Sequence, residues 1–262
     1  MWIDTHAHLD KITLPMEEVL KEAQASSVSS IITIGTELED WEKVLHFCDN
    51  YSPKVYGALG MHPHSAKNWN EDCETFLNKH LSHPRIVAVG EIGLDYHYER
   101  TNRDQQQEVF EKQFDLAEKF KLPVEIHTRE AEQDTLSLLK KYQGQVKGLL
   151  HCFTSSYEMA ASALDYGFNI SFSGIVTFKN SENLRETCRK LPLDRIHIET
   201  DSPFLSPPPY RGKENQPARV HLVAQTVADL HQVDLKTLSE QLQKNTLNLF
   251  SKVNKEDIQC LN

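Results

Sequence analysis

The chain has 262 residues, 39% hydrophobic and 25% charged, which is enough for one large domain with a buried core. Its formal net charge of −10 excludes the broad basic surface that grips long duplex nucleic acid through phosphates, so any nucleic-acid chemistry must rest on a local site. The five cysteines, Cys48, Cys73, Cys152, Cys188 and Cys260, are scattered without a C-x-x-C, which argues against a disulfide framework or zinc ribbon and for a reducing cytoplasm.

The first apolar run, Trp2–Thr5, ends in His6-Ala7-His8. No basic n-region or apolar h-region precedes it, which predicts no secretory signal. No later run approaches the ~20 apolar residues that span a bilayer, so no membrane partner is expected. Successive strand residues face opposite sides, so His6 and His8 share a face and can converge on one point, as two neutral imidazoles do on a metal ion.

A helix is predicted over Met16–Ala25, a strand over Ser30–Ile34 and a helix over Glu39–Asn50. The strand Lys54–Leu59 runs into "GMHPH", with His62 and His64. The strand Ile86–Val89 runs into "GEIGLD", with Glu91 and Asp95. A helix follows over Asp104–Phe120, where Phe110, Phe114 and Ala117 fall on one face. The strand Pro123–Ile126 leads to His127 and Arg129, and Val146–Leu150 to His151. The last strands are Asn169–Phe172 and Arg195–Ile198, the latter leading to Glu199 and Asp201. The Pro-rich stretch Ser202–Pro217 reads as an active-site loop. The last dozen residues are polar and expected to fray.

Strands alternating with helices imply parallel pairing, and eight such units close naturally into a (β/α)₈ TIM barrel, here a single domain over residues 1–262. An open doubly wound sheet would instead carry a Gly-rich phosphate turn after its first strand, where His-x-His stands. In a barrel the strand C-termini form one rim, and that rim is where active sites lie. Six of the strand ends carry only His, Glu and Asp as their ligand-type residues. Burying these groups together without a cation would cost several kcal/mol in unpaired or repelling groups. The donors are nitrogen and oxygen without thiolate, unlike a closed structural zinc site. Four histidines and two carboxylates can hold two divalent cations if one carboxylate bridges, leaving room for water and substrate. His46, His80, His83 and His231 read as surface residues. His197 shares the parity of Glu199 and Asp201 and is expected deeper in the barrel.

With these stretches in hand, the sequence resembles the TatD family of metal-dependent deoxyribonucleases, within the metal-dependent hydrolase barrels. The matching stretches are "IDTHAHLD", "GMHPH", "GEIGLD", "PVEIHTREA", "HCFTSS", "IETDSPFL" and "RGKENQPARV", and they cover nearly the whole chain. The resemblance implies that His6, His8, Glu91 and Asp201 hold one metal, and that Glu91 bridges to a second held by His127 and His151. It implies Asp201 as partner of the attacking water, Arg211 and Asn215 near substrate phosphates, and His62, His64 and Arg129 lining the same pocket. One departure is Glu125, at a position usually aliphatic in this family. Its parity matches His127, so it is expected to point inward, either pairing with Lys147 or supporting a metal ligand.

The reading is then a phosphodiesterase that removes nucleotides from single-stranded or frayed DNA ends, or RNA ends, with 3′→5′ direction implied by the family. Two alternatives stand beside it. One is hydrolysis of an aminoacyl-tRNA ester or an amide on the same metals. The other is a non-catalytic, metal-stabilised binding module. Mg²⁺, Mn²⁺ and Zn²⁺ all suit the donor set, and the residues do not fix the oligomeric state.

Overall fold

Among the described residues, which are 1–52, 54–98 and 100–259 of this computed structural model, each apolar run becomes a strand of one parallel sheet. The strands are β1 (Trp2–Ala7), β2 (Val28–Gly35), β3 (Val55–Leu59), β4 (Ile86–Asp95), β5 (Val124–Arg129), β6 (Gly148–Leu150), β7 (Asn169–Phe172) and β8 (Ile196–Ile198). They pair in chain order. Helices α1 (Met16–Ala25), α2 (Leu38–Asn50), α3 (Glu71–His80), α4 (Arg103–Phe120), α5 (Glu132–Lys141), α6 (Tyr157–Asp165) and α7 (Glu182–Lys190) cross between successive strands. Helices α8 (Val220–His231), α9 (Leu235–Leu249) and α10 (Lys255–Gln259) follow the last strand. This is a (β/α)₈ TIM barrel.

The barrel closes with few ladder bonds. Ala7 bridges Ser202, the His8 amide donates to the Ser202 carbonyl at 2.7 Å, and the Asp201 amide to the His6 carbonyl at 3.0 Å. Lower down, side chains replace the ladder: Asp4 accepts from the Thr200 amide at 2.8 Å, and the Thr5 hydroxyl donates to the Ile198 carbonyl at 3.0 Å. The seam brings the end of β8 beside the end of β1.

β4 runs well past the predicted Val89, and all ten of its residues are buried. Two glycines allow this. A Cβ on Gly93, whose φ is +141°, would stand 1.9 Å from the His127 carbonyl oxygen, and one on Gly90 would stand 2.7 Å from the Glu125 Cβ. Glu91 therefore enters the barrel between two backbones pressed close together.

Outside the sheet, α4 buries Phe110, Phe114 and Ala117 as its spacing predicts, and each large ring contributes roughly 1.5–3 kcal/mol by leaving water. Inside, the barrel is layered. The lower layer is apolar: Ile32, Ile34, Ala58, Val87 and Leu149 meet Leu249, Phe250, Val253 and Ile258 from the chain end. His197 is buried in this deeper region, its ring against Phe250, and it takes a hydrogen bond from the Asn169 amide at 2.9 Å. Burial lowers its pKa to about 3.

The last residues, expected to fray, are packed against the barrel through Ile258. Ile258 is buried, and the Asp257 carboxylate accepts from the Tyr56 hydroxyl at 2.6 Å and from Arg85 at 2.8 Å. A polar segment stays docked because one apolar residue and one ion pair close the barrel floor. Cys260 lies outside the described residues. The other four cysteines are free, and three of them are buried. His46 is exposed as expected, whereas His80, His83 and His231 are half-buried. No described helix is long and apolar enough to cross a membrane.

Candidate metal centre

The upper layer of the barrel holds the ionisable residues. Glu91, 3% exposed, stands at the middle, and its two oxygens face different partners. Oε2 lies 3.7 Å from His6 Nε2 and 3.8 Å from His8 Nε2. Oε1 lies 2.8 Å from His151 Nε2, 3.1 Å from His127 Nδ1 and 3.4 Å from His62 Nε2. Asp201 completes the first group, with Oδ1 at 3.4 Å from His8 Nε2 and 3.9 Å from His6 Nε2. Thus the structure gathers His6, His8, Glu91, His127, His151 and Asp201 in two sets that share one carboxylate. β1 itself ends at Ala7, and His8 lies just beyond it after a register irregularity, yet both Nε2 atoms converge as strand alternation predicted.

The donor set fits divalent cations. His6 Nε2 is buried with no hydrogen-bond partner among the described residues, although Glu91 Oε2 stands 3.7 Å and Asp201 Oδ1 3.9 Å from it. Burial and the neighbouring His151 hold the His6 imidazole well below its ordinary pKa, and burial lowers His62 to about 4. Burial also opposes charge on His151 and His127. Even so, Glu91 and Glu199 raise His151 well above its ordinary value, and Asp95 and Glu91 raise His127. Burial would raise Glu91 too, but His151, His62 and the His127 hydrogen bond bring it well below the carboxylate range. These carboxylates and imidazoles attract the positive charge that cations would supply.

A ring of supporting contacts orients the ligands. Asp95 accepts from His127 Nε2 at 3.0 Å and lies 3.0 Å from His64 Nε2, while its Oδ1 takes the amides of His97 and Tyr98. Glu199, fully buried, faces His151 Nδ1 at 3.3 Å and accepts the Cys152 amide at 2.7 Å. Two glutamines of α4 went unnoticed in the sequence. Gln113 grips both backbone groups of Met61, just before His62, and Gln106 holds the amide and carbonyl of Asp95. Both lie on the helix face that carries Phe110 and Phe114, so a polar residue in an apolar stripe was the available signal.

Glu125 points inward as expected and is fully buried. His6 Nδ1–H donates to its Oε2 at 2.8 Å, which leaves the Nε2 lone pair toward the cleft. Burial, then Glu199, push its carboxyl well above the usual range. The suggested pairing with Lys147 is corrected. Lys147 precedes β6, so strand parity does not reach it, and its side chain is exposed. Glu125→Val is expected to weaken divalent binding about 10- to 100-fold, the usual effect of losing such a support, while Glu125→Gln, which keeps an acceptor for His6, recovers most of it. Calorimetric titration with Mn²⁺ or Zn²⁺ reads this directly. Equal affinity in all three proteins would remove Glu125 from the site.

Above the ligands opens a cleft of about 690 Å³. His62, His64 and Arg129 line it as expected, together with Lys11 and Arg100, which sequence reasoning missed. Phe204 and Leu205 bring the Pro-rich loop to its wall. Asn215 and Arg211 do not line it. Asn215 is fully buried, its amide donating to the Thr200 carbonyl at 3.0 Å and accepting the Gln216 amide, so its polar atoms serve the loop. Arg211 stacks on Phe178 at 3.7 Å and donates to the Ser206 carbonyl.

A parallel barrel with nitrogen and oxygen ligands on its C-terminal rim defines the class of metal-dependent hydrolases. The description "TatD related DNase" matches residues 3–251, and the chain belongs to the TatD family. It is 37% identical to a metal-dependent hydrolase of Bacillus subtilis, YabD, over 95% of this chain and 99% of that one. It is 34% identical to the human 3′-5′ RNA nuclease TATDN2, over 95% of this chain and 35% of that one. The crystal structure of the TatD homologue YjjV from Escherichia coli matches with a TM-score of 0.89 at 29% identity, covering 95% of this chain and 98% of that one.

Proposed function

We propose that this metal-dependent hydrolase is a phosphodiesterase that removes nucleotides from the 3′ ends of single-stranded or frayed DNA or RNA, with residues 1–262 acting as one unit. The observation that carries the reading is Glu91, whose two oxygens divide between two histidine sets beneath an open cleft lined by Lys11, Arg100 and Arg129. His6, His8, Glu91 and Asp201 would hold one divalent cation, and Glu91, His127 and His151 a second. Such cations polarise a phosphoryl oxygen and let water attack near neutral pH.

The chain's own groups do the rest. Asp201 stands at the cleft wall as the acceptor for the proton of the attacking water. His62, beside Glu91, and His64, beside Asp95, line the cleft where the phosphoryl group would sit. Lys11, Arg100 and Arg129 meet the polyanionic strand. The local placement of these cations on a chain of net charge −10 favours gripping an end over tracking a duplex. The human relative's name supports a 3′-directed nuclease and admits RNA.

End-labelled linear single-stranded DNA and RNA, beside a closed single-stranded circle, test the reading with Mg²⁺, Mn²⁺ or Zn²⁺ and a chelator control. Mononucleotides released from 3′ ends, with the circle intact, are the expected result. Rapid cutting of the circle contradicts end recognition, and failure to cleave any phosphodiester moves the assignment to carbonyl substrates.

A further inference from the structure

Phe204 is 49% exposed. It lines the cleft, edge-to-face with His8 at 5.9 Å between centroids. Leu205 and Ile175 continue an apolar shelf on the same lining. In an eight-strand ring the ends of β8 and β1 stand opposite those of β4 and β5. The opposite wall is cationic. It presents Arg129 and Arg100, whose guanidinium carbons lie 4.8 and 5.6 Å from the centre of the Tyr98 ring. Tyr98, 53% exposed, braces both by cation–π contact. A flat apolar face, a carboxylate–histidine centre and a pair of fixed cations therefore follow one another across the cleft.

Resting on the phosphodiesterase reading above, we propose that Phe204 is a stacking shelf for the terminal nucleobase of the substrate, while Arg129 and Arg100, braced by Tyr98, hold phosphates across the centre. The shelf side offers Phe204, Leu205 and Ile175, which have no side-chain donor or acceptor to read a base edge. Stacking of this kind accepts every base, because each has a π-face. It also suits an unpaired end, since a base free of its pairing partner can be splayed out to reach the ring.

The test is a cycle between protein and substrate. Wild type and Phe204→Ala are each assayed on a single-stranded oligonucleotide whose terminal residue is either an ordinary nucleoside or an abasic tetrahydrofuran. Removing the base or removing the ring is expected to raise KM about tenfold, within the range for base–aromatic stacking. Making both changes is expected to cost little more than either alone, and Phe204→Trp to recover the wild-type KM. Losses that multiply overturn the shelf. So does a wild-type enzyme that handles abasic and ordinary ends alike, a measurement that needs no variant. Rates on the four terminal bases should agree within a few-fold, and a strong preference for one base overturns the edge-blind shelf. If wild type releases nothing from any oligonucleotide with any of the three cations, the phosphodiesterase reading fails, and the shelf with it.

Discussion

Glu91→Ala is expected to empty both halves of the metal centre at once and to lower turnover by ~10³-fold or more, because metal stabilisation of a transition state is worth several kcal/mol. The reason is the division of its oxygens, with Oε2 toward His6 and His8 and Oε1 toward His127 and His151. Among the described residues, Asp201 pairs with His6 and His8, and Glu199 pairs with His151. Glu91→Gln keeps the shape but offers one neutral oxygen, so it should retain at most one cation per chain. Metal content by mass spectrometry, read with melting curves to confirm the fold, separates these cases. Full occupancy in Glu91→Ala would show that the two sets bind independently of a shared ligand.

What the sequence made legible follows from counting. Strand ends were legible because a short apolar run followed by His, Glu or Asp has a fixed place in a parallel barrel, the C-terminal rim. Six ligand-type residues spread from His6 to Asp201 converge there with no local signal joining them. The Met16–Ala25 helix matched its apolar spacing, and α4 began one residue before Asp104 because Asn102 caps it through the Gln105 amide. Counting does not reach irregular segments, and Asn215 and Arg211 came from the family resemblance alone. Asn215 and Arg211 lie in the irregular Pro-rich stretch, and their contacts depend on how that loop folds back on itself. Glu125 and Lys147 were matched by alternation, which holds within a strand but not before one begins. The supports of the centre, Asp95, Gln106 and Gln113, are polar residues inside buried stripes. Their burial is a tertiary fact, although the stripe hinted at it.

Asp201→Asn is expected to keep the fold and most of the bound metal but to lower turnover by ~10²-fold or more, the range for loss of a general base. Asp201 sits in the left-handed backbone region, with φ +54°, and asparagine tolerates that conformation as well as aspartate does. The amide hydrogen bond to the His6 carbonyl, which closes the barrel here, does not involve the side chain and survives. The Oδ1 that faces His8 Nε2 at 3.4 Å also survives as a neutral ligand atom. What disappears is the capacity to take a proton in the cleft. Glu199, two residues earlier, offers the contrast. It is fully buried behind His151 and does not line the cleft, so Glu199→Gln should loosen metal binding and be rescued by added metal. Asp201→Asn should stay slow at saturating metal. Near-normal turnover in Asp201→Asn, with metal content confirmed, would show that another group takes the proton. A Glu199→Gln defect that resists added metal would then point to Glu199.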